Sequence, residues 1–149
     1  MSALQKALSD IREQASNTTE LGNAFERLAK VFLENDATQT QQYSEVWHYE
    51  DWAKEHEGYS VKDIGIDLVA KLRDEEGYCA VQCKFYEAEH SISKSDLDSF
   101  ISASSTNDFI RLMLIDTSTQ PIGSNAQSVF DNINQYLLIC ANINKNELT

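Results

Sequence analysis

The sequence predicts an α/β sandwich: a mixed β-sheet with an antiparallel hairpin, flanked by helices. Three observations predict it. Residues 3–35 carry apolar side chains at helical spacing, residues 64–86 switch to two strand-like runs around a turn signal, and residues 109–115 form an apolar strand reached through a helical segment.

The elements follow in order. Ala3, Leu4, Ala7, Leu8 and Ile11 repeat with the helical period. Asn17-Thr18-Thr19 interrupts, with Thr18 or Thr19 as N-cap of the next helix. Over residues 19–35, Leu21, Ala24, Phe25, Leu28, Ala29 and Phe32 step along one stripe, the mark of an amphipathic helix. Residues 36–60 are polar and aromatic, and periodicity leaves a short helix over 47–54 undecided. Residues 64–72 read as a strand, Asp74-Glu75-Glu76-Gly77 as a turn and residues 78–86 as the returning strand. Ser93 or Ser95 caps a helix through Leu97, Phe100, Ile101 and Ala103, ahead of the strand at 109–115. Pro121-Ile122-Gly123 breaks the chain, residues 126–136 read as a helix with Val129, Phe130 and Ile133 inward, and residues 137–140 as a short strand. Residues 143–149 add no closing element, so residues 1–149 read as a single domain, the N-terminal fragment of a larger polypeptide.

Composition narrows the function. The 149 residues are 42% hydrophobic and 24% charged, an ordinary globular balance that excludes wholesale disorder. One proline and five glycines exclude a collagen, a proline-rich linker and a many-turned β-sandwich. No apolar run approaches the roughly 18 residues of a membrane span, and residues 1–13 lack the apolar core of a secretory signal. Cys79, Cys83 and Cys140 are an odd count without CxxC spacing, which favours a reducing cytosol over a disulfide framework or zinc ribbon. Twelve basic against 24 acidic side chains give a net charge of −12, so the chain by itself is expected to bind DNA weakly.

Alternation on the second hairpin strand puts Ala80, Gln82, Lys84 and Tyr86 on one face, and Cys79, Val81, Cys83 and Phe85 on the other. On the first strand, Asp67 and Val69 share a face opposite Ile66 and Leu68. With Asp74–Gly77 as a four-residue loop, Arg73 pairs with Tyr78, Asp67 falls across from Lys84 and Val69 across from Gln82. A carboxylate, an amide and an ammonium then converge on one patch.

The pattern Gly65-x-Asp67, followed after a turn by Gln82-x-Lys84, resembles the PD-(D/E)XK nuclease superfamily. It resembles in particular the Mrr-like branch, where glutamine replaces the usual second acidic residue. The helix with Gly22-Asn23-Ala24-Phe25-Glu26-Arg27-Leu28 looks like the family's preceding helix, whose site-facing glutamate matches Glu26. The similarity is greatest to the N-terminal nuclease domain of type ISP restriction–modification enzymes. It runs from about Leu21 through Ser95-Asp96-Leu97-Asp98-Ser99-Phe100 to Asn125-Ala126. It implies a restriction-endonuclease-like core in a bacterial cytoplasm. Double-stranded DNA would be delivered by translocase and target-recognition domains of the same polypeptide, which also carries a methyltransferase. It also implies a metal ligand in the backbone carbonyl of Cys83, and products with a 5′-phosphate and a 3′-hydroxyl.

The chemistry asks for these residue types independently. Phosphodiester hydrolysis needs phosphate charge neutralised and a water made nucleophilic. Asp67 offers an oxygen ligand to Mg²⁺, with Mn²⁺ as a substitute, and Glu26 completes the shell directly or through water. Gln82 offers a neutral carbonyl oxygen or an amide donor, and so holds a metal less tightly than a carboxylate. Lys84 is a point cation for the attacking water and the developing charge.

Plainer readings stand beside these. Gln82 and Lys84 suit the polar face of an edge strand, and Glu26 suits a solvated helix face shared with Glu20 and Glu34. The cysteines read as small buried hydrophobes. His48, His56 and His90 are too scattered for a metal cage and read as ordinary. The aromatic run from Tyr43 to Tyr59 packs the domain or meets a partner domain. The expected function is a Mg²⁺-dependent DNA endonuclease domain. The alternative is a non-catalytic module of the same fold that serves for docking or as an acidic DNA mimic.

Overall fold

The computed structural model describes residues 3–62, 65–85, 93–116 and 137–142. Five helices and five strands occur there in the order α1 (Ala3–Gln14), α2 (Thr18–Asn35), α3 (Ala37–Thr40), β1 (Tyr43–His48), α4 (Tyr49–Lys54), β2 (Leu68–Leu72), β3 (Tyr78–Lys84), α5 (Lys94–Ala103), β4 (Phe109–Asp116) and β5 (Leu137–Asn142). The strands lie in the sheet in chain order. β1, β2 and β3 pair antiparallel, while β3, β4 and β5 pair parallel. β3 is therefore the central strand, where the sheet changes direction.

Helices cover both faces of the sheet, as an α/β/α sandwich requires. On one face Leu8 of α1 and Phe25, Ala29 and Leu33 of α2 pack on Leu68, Ala70, Cys79, Val81, Met113 and Ile115. On the other, Tyr49, Trp52 and Ala53 of α4 and Phe100 of α5 pack on Val69, Ala80 and Leu112. Trp52 keeps only 1% of its surface exposed and touches the rings of His56, Tyr59, Tyr78 and Phe109. Truncating it to alanine would cost about 3–5 kcal/mol. Among the described residues no helix is long and apolar enough to cross a membrane.

Several local expectations are corrected. Asn17, not Thr18 or Thr19, caps α2: its side chain accepts the Glu20 N–H at 2.9 Å. That choice places the Glu20 carboxylate where it accepts both the Ser16 N–H and hydroxyl, at 2.8 and 2.6 Å. β1 lies in the stretch that periodicity left unread, because a bulge between Tyr43 and Glu45 breaks its alternation. β2 starts at Leu68, since Gly65 with φ +103° turns the chain before the ladder begins. Ile64, Tyr86, the break at 121–123, the helix read at 126–136 and the tail at 143–149 lie outside the described residues. Ser93 directly precedes α5 and Ser95 lies within it.

The hairpin register also differs from the expected one. Lys71, not Arg73, pairs with Tyr78, and Val69 faces Ala80 rather than Gln82. The cause is Gly77, whose φ of +127° lets it close the turn as a partner of Leu72, with Leu72 N–H bonded to its carbonyl at 3.2 Å. The offset is two residues, so each β3 side chain keeps its face. Ile66 does change sides: it joins the core of Val69 and Ala80 instead of that of Leu68.

Candidate active site

The site lies where β2 begins and β3 ends, beside the N-terminal half of α2. Extending the β2–β3 register would oppose Ile66 to Cys83. Instead, the ladder is taken over by a side chain. Asp67 N–H donates to the Val81 carbonyl at 2.9 Å, and the Cys83 N–H donates to Asp67 Oδ2 at 2.7 Å. The second is a charge-assisted bond that fixes the carboxylate. N–H and C=O of one strand residue leave on the same side, so the Cys83 carbonyl also faces Asp67.

Gln82 follows on the central strand, not on an edge, and keeps only 6% of its surface exposed. Its Nε2 donates to the Gly65 carbonyl at 3.1 Å. A carbonyl can only accept, so this bond settles which end of the amide faces it. Gln82 Oε1 is then buried with no hydrogen-bond partner among the described residues. Gly65 is wedged in its turn: a Cβ there would lie 2.8–3.0 Å from backbone atoms of Ser99 and Phe100 in α5.

Glu26 enters from α2, and its Oε1 meets His48 Nδ1 at 2.9 Å. Asn23, Glu26, His48, Tyr49, Glu50, Val61, Ile66 and Asp67 line one open cleft of about 300 Å³. Three carboxylates thus share its wall. The Cys83 sulfur lies deep behind them although the residue keeps some exposed surface. Burial pushes its thiol well above the ordinary 9.0, and the negative charges of Asp67 and Glu26 push it further. Cys79, wholly buried, is raised to about 12, mainly by burial. Neither is a ready nucleophile.

Lys84 stands at the end of β3, half-buried, in register with Asp116 of β4, which keeps 6% of its surface exposed. Neither Lys84 nor Gln82 lines the cleft. Asp67, Cys83 and Glu26 are therefore gathered at one place. Gln82 and Lys84 alternate onto the face of β3 opposite the Cys83 side chain, and the expected opposition of Asp67 to Lys84 is replaced by its bond to Cys83.

Two features escaped the sequence. Asn23 was legible, lying one helical turn from Glu26 on the same stripe. His48 was not, since nothing local ties it to a residue 22 positions earlier.

The donor set is one of hard oxygens: the carboxylates of Asp67 and Glu26 and the backbone carbonyl of Cys83. Among the described residues, no three side chains of His, Cys, Asp or Glu gather closely enough to form a cage. Such a set fits a magnesium-like cation, which keeps several waters and takes one or two carboxylates from the protein. It does not fit zinc.

In comparison with known proteins, the fold is shared with a solved structure, the MspJI restriction endonuclease in complex with a 27-mer oligonucleotide. The TM-score is 0.56 at 14% identity, with 94% of this chain covered. The chain spans 29% of the length of that structure. No curated protein matches in sequence. The family model Mrr_cat_2, a restriction endonuclease, matches residues 34–148, which include Asp67, Gln82, Cys83 and Lys84 but not Glu26. By that match over most of its length, the chain belongs to the Mrr_cat_2 restriction endonuclease family.

Proposed function

We propose that this chain is a divalent-metal-dependent DNA endonuclease domain. It would be the cleavage module of a larger restriction–modification enzyme of the type ISP kind. Translocase and target-recognition parts of the same polypeptide, which also carries a methyltransferase, would deliver double-stranded DNA in the bacterial cytoplasm. The observation that carries the reading is the Asp67 carboxylate, held by the Cys83 N–H at 2.7 Å on the wall of the cleft that Glu26 also lines. Family membership supports the reaction class, and the oligonucleotide in the complex of the structural neighbour supports DNA as the substrate.

In this reading Asp67, the Cys83 carbonyl and Glu26 hold Mg²⁺, with Mn²⁺ as a substitute. A cation held there would supply charge neutralisation for the phosphate and a more acidic water. Asp67 cannot swing away, because its second role as acceptor for Cys83 fixes it. Gln82 is held beside the site by the bond of its amide to the Gly65 carbonyl. Lys84 orients the attacking water and stabilises the developing negative charge. The net charge of −12 keeps the domain off DNA until a tether replaces affinity with effective concentration.

The test is plasmid cleavage by this chain fused to an unrelated sequence-specific DNA-binding module, with Mg²⁺, Mn²⁺ or EDTA. Nicking or linearisation near the bound site, abolished by EDTA, by Asp67→Ala and by Lys84→Ala, is the expected result. A folded, DNA-bound fusion that does not cut would overturn the endonuclease reading and favour a non-catalytic docking or acidic DNA-mimic module.

A further inference from the structure

His48 ends β1 and occupies the N-cap position of α4, yet its side chain makes no capping bond. It turns instead toward α2, where Nδ1 meets Glu26 Oε1 at 2.9 Å. The next residue reaches the other carboxylate: Tyr49 N–H donates to the backbone carbonyl of Asp67 at 2.9 Å. Two successive residues at one strand–helix junction therefore hold Glu26 by its side chain and Asp67 by its backbone. All four line the same cleft.

We propose that His48 is a positioning residue, and that the His48–Tyr49 junction sets the spacing of Glu26 and Asp67 for a divalent cation. The inference rests on the metal-dependent reading above and adds a residue to it. A carboxylate oxygen accepts, so the imidazole donates from Nδ1. With one oxygen so engaged, Glu26 loses its freedom to rotate, and the remaining oxygen keeps a fixed aspect toward the cleft. Partners of this kind, which orient a ligand without touching the metal, are typically worth about 10–100-fold in metal affinity.

The experiment is Mn²⁺ binding to the full chain, read by loss of the free-ion EPR signal, with no cleavage involved. His48→Ala and His48→Leu remove the donor, the second while keeping bulk. Both are expected to weaken binding about tenfold. His48→Asn places an amide N–H near the position of Nδ1 and is expected to restore most of the affinity. Thermal melts identify any variant that fails to fold, and the leucine variant then carries the test for alanine. In the wild-type chain, long-range ¹H–¹⁵N spectra are expected to show the His48 proton on Nδ1, and its signal to shift in Glu26→Ala.

Affinity unchanged in folded His48→Ala and His48→Leu, alongside binding lost in Asp67→Ala, would overturn the positioning role and leave the metal reading standing. Binding as tight in Asp67→Ala as in the wild type would overturn the metal reading, and this inference with it. Weakening without rescue by asparagine would assign His48 a packing role and also overturn the proposal.

Discussion

Replacing Gly65 by alanine would set a methyl carbon 2.8 Å from the carbonyl carbon of Ser99, 2.9 Å from its oxygen and 3.0 Å from the nitrogen of Phe100. All three are backbone atoms inside α5, so no side chain can swing aside. The helix would have to shift, at a cost of about 1–3 kcal/mol for overpacking. A non-glycine residue at φ +103° adds about 1–3 kcal/mol of strain. The stiffer unfolded chain returns about 0.4–1 kcal/mol. The expected net loss is about 1–6 kcal/mol, a large share of the ~5–15 kcal/mol typical of a whole domain. Urea denaturation reads it as a lower midpoint at unchanged slope. Gly22→Ala is the matched control, because a Cβ there meets nothing within 4 Å on a helix. It should stabilise by about 0.5–1 kcal/mol. Cleavage by Gly65→Ala should also fall more than its folded fraction, since the Gly65 carbonyl anchors Gln82. A loss under about 1 kcal/mol, or activity that simply follows folding, would refute the close packing of Gly65 against α5 as the lock on Gln82.

Three further outcomes follow from the same contacts. Asp67→Asn should abolish metal-dependent cleavage and cost about 1–3 kcal/mol in a denaturant melt, because the Cys83 N–H loses a charged acceptor. Tyr59→Phe should cost about 1–2 kcal/mol by the same assay, since the hydroxyl bonds Asp108 at 2.6 Å and Thr106 at 2.7 Å across 47–49 residues of chain. The Cys79 thiol, raised from 9.0 to about 12, binds its proton more tightly in the fold than unfolded. Its contribution is therefore complete below pH 9 and is lost as pH rises toward 12. Stability measured above pH 9 should fall less steeply in Cys79→Ala than in the wild type, and Cys79 should resist a thiol reagent at pH 8 until the chain unfolds.

The strong periods carried the reading of the fold. α2 shows one apolar stripe, β4 is apolar except for Arg111 and the final Asp116, and both stand where the pattern placed them. β1 was hidden by its bulge, and α3 is a single turn set by Asp36, whose carboxylate caps Thr38 and Gln39. The two-residue slip of the hairpin came from reading Gly77 as a loop residue when its positive φ closes the ladder. Strand order is not written in local pattern, so Gln82 and Lys84 looked like edge residues although β3 is the centre of the sheet. The pairing of His48 with Glu26 depends on the packing of β1 beside α2, a tertiary fact without a local signature.

β2 and β3 are joined by a short turn and pair on local contacts, whereas β4 and β5 each join in parallel and must wait for a crossover connection. Asp67, Gln82, Cys83 and Lys84 are therefore expected to come together on the hairpin early in folding. On that order α5 would close on Gly65 after the hairpin has paired, and its docking would make Gln82 rigid. Folding-rate measurements on hairpin and α5 variants should show this order as higher φ-values in β2 and β3 than in α5. A chain halted before α5 docks would hold the candidate site residues on the hairpin without the stiffness that this helix gives Gly65 and Gln82. On the proposed function, a domain assembled in that order would stay harmless until α5 is in place.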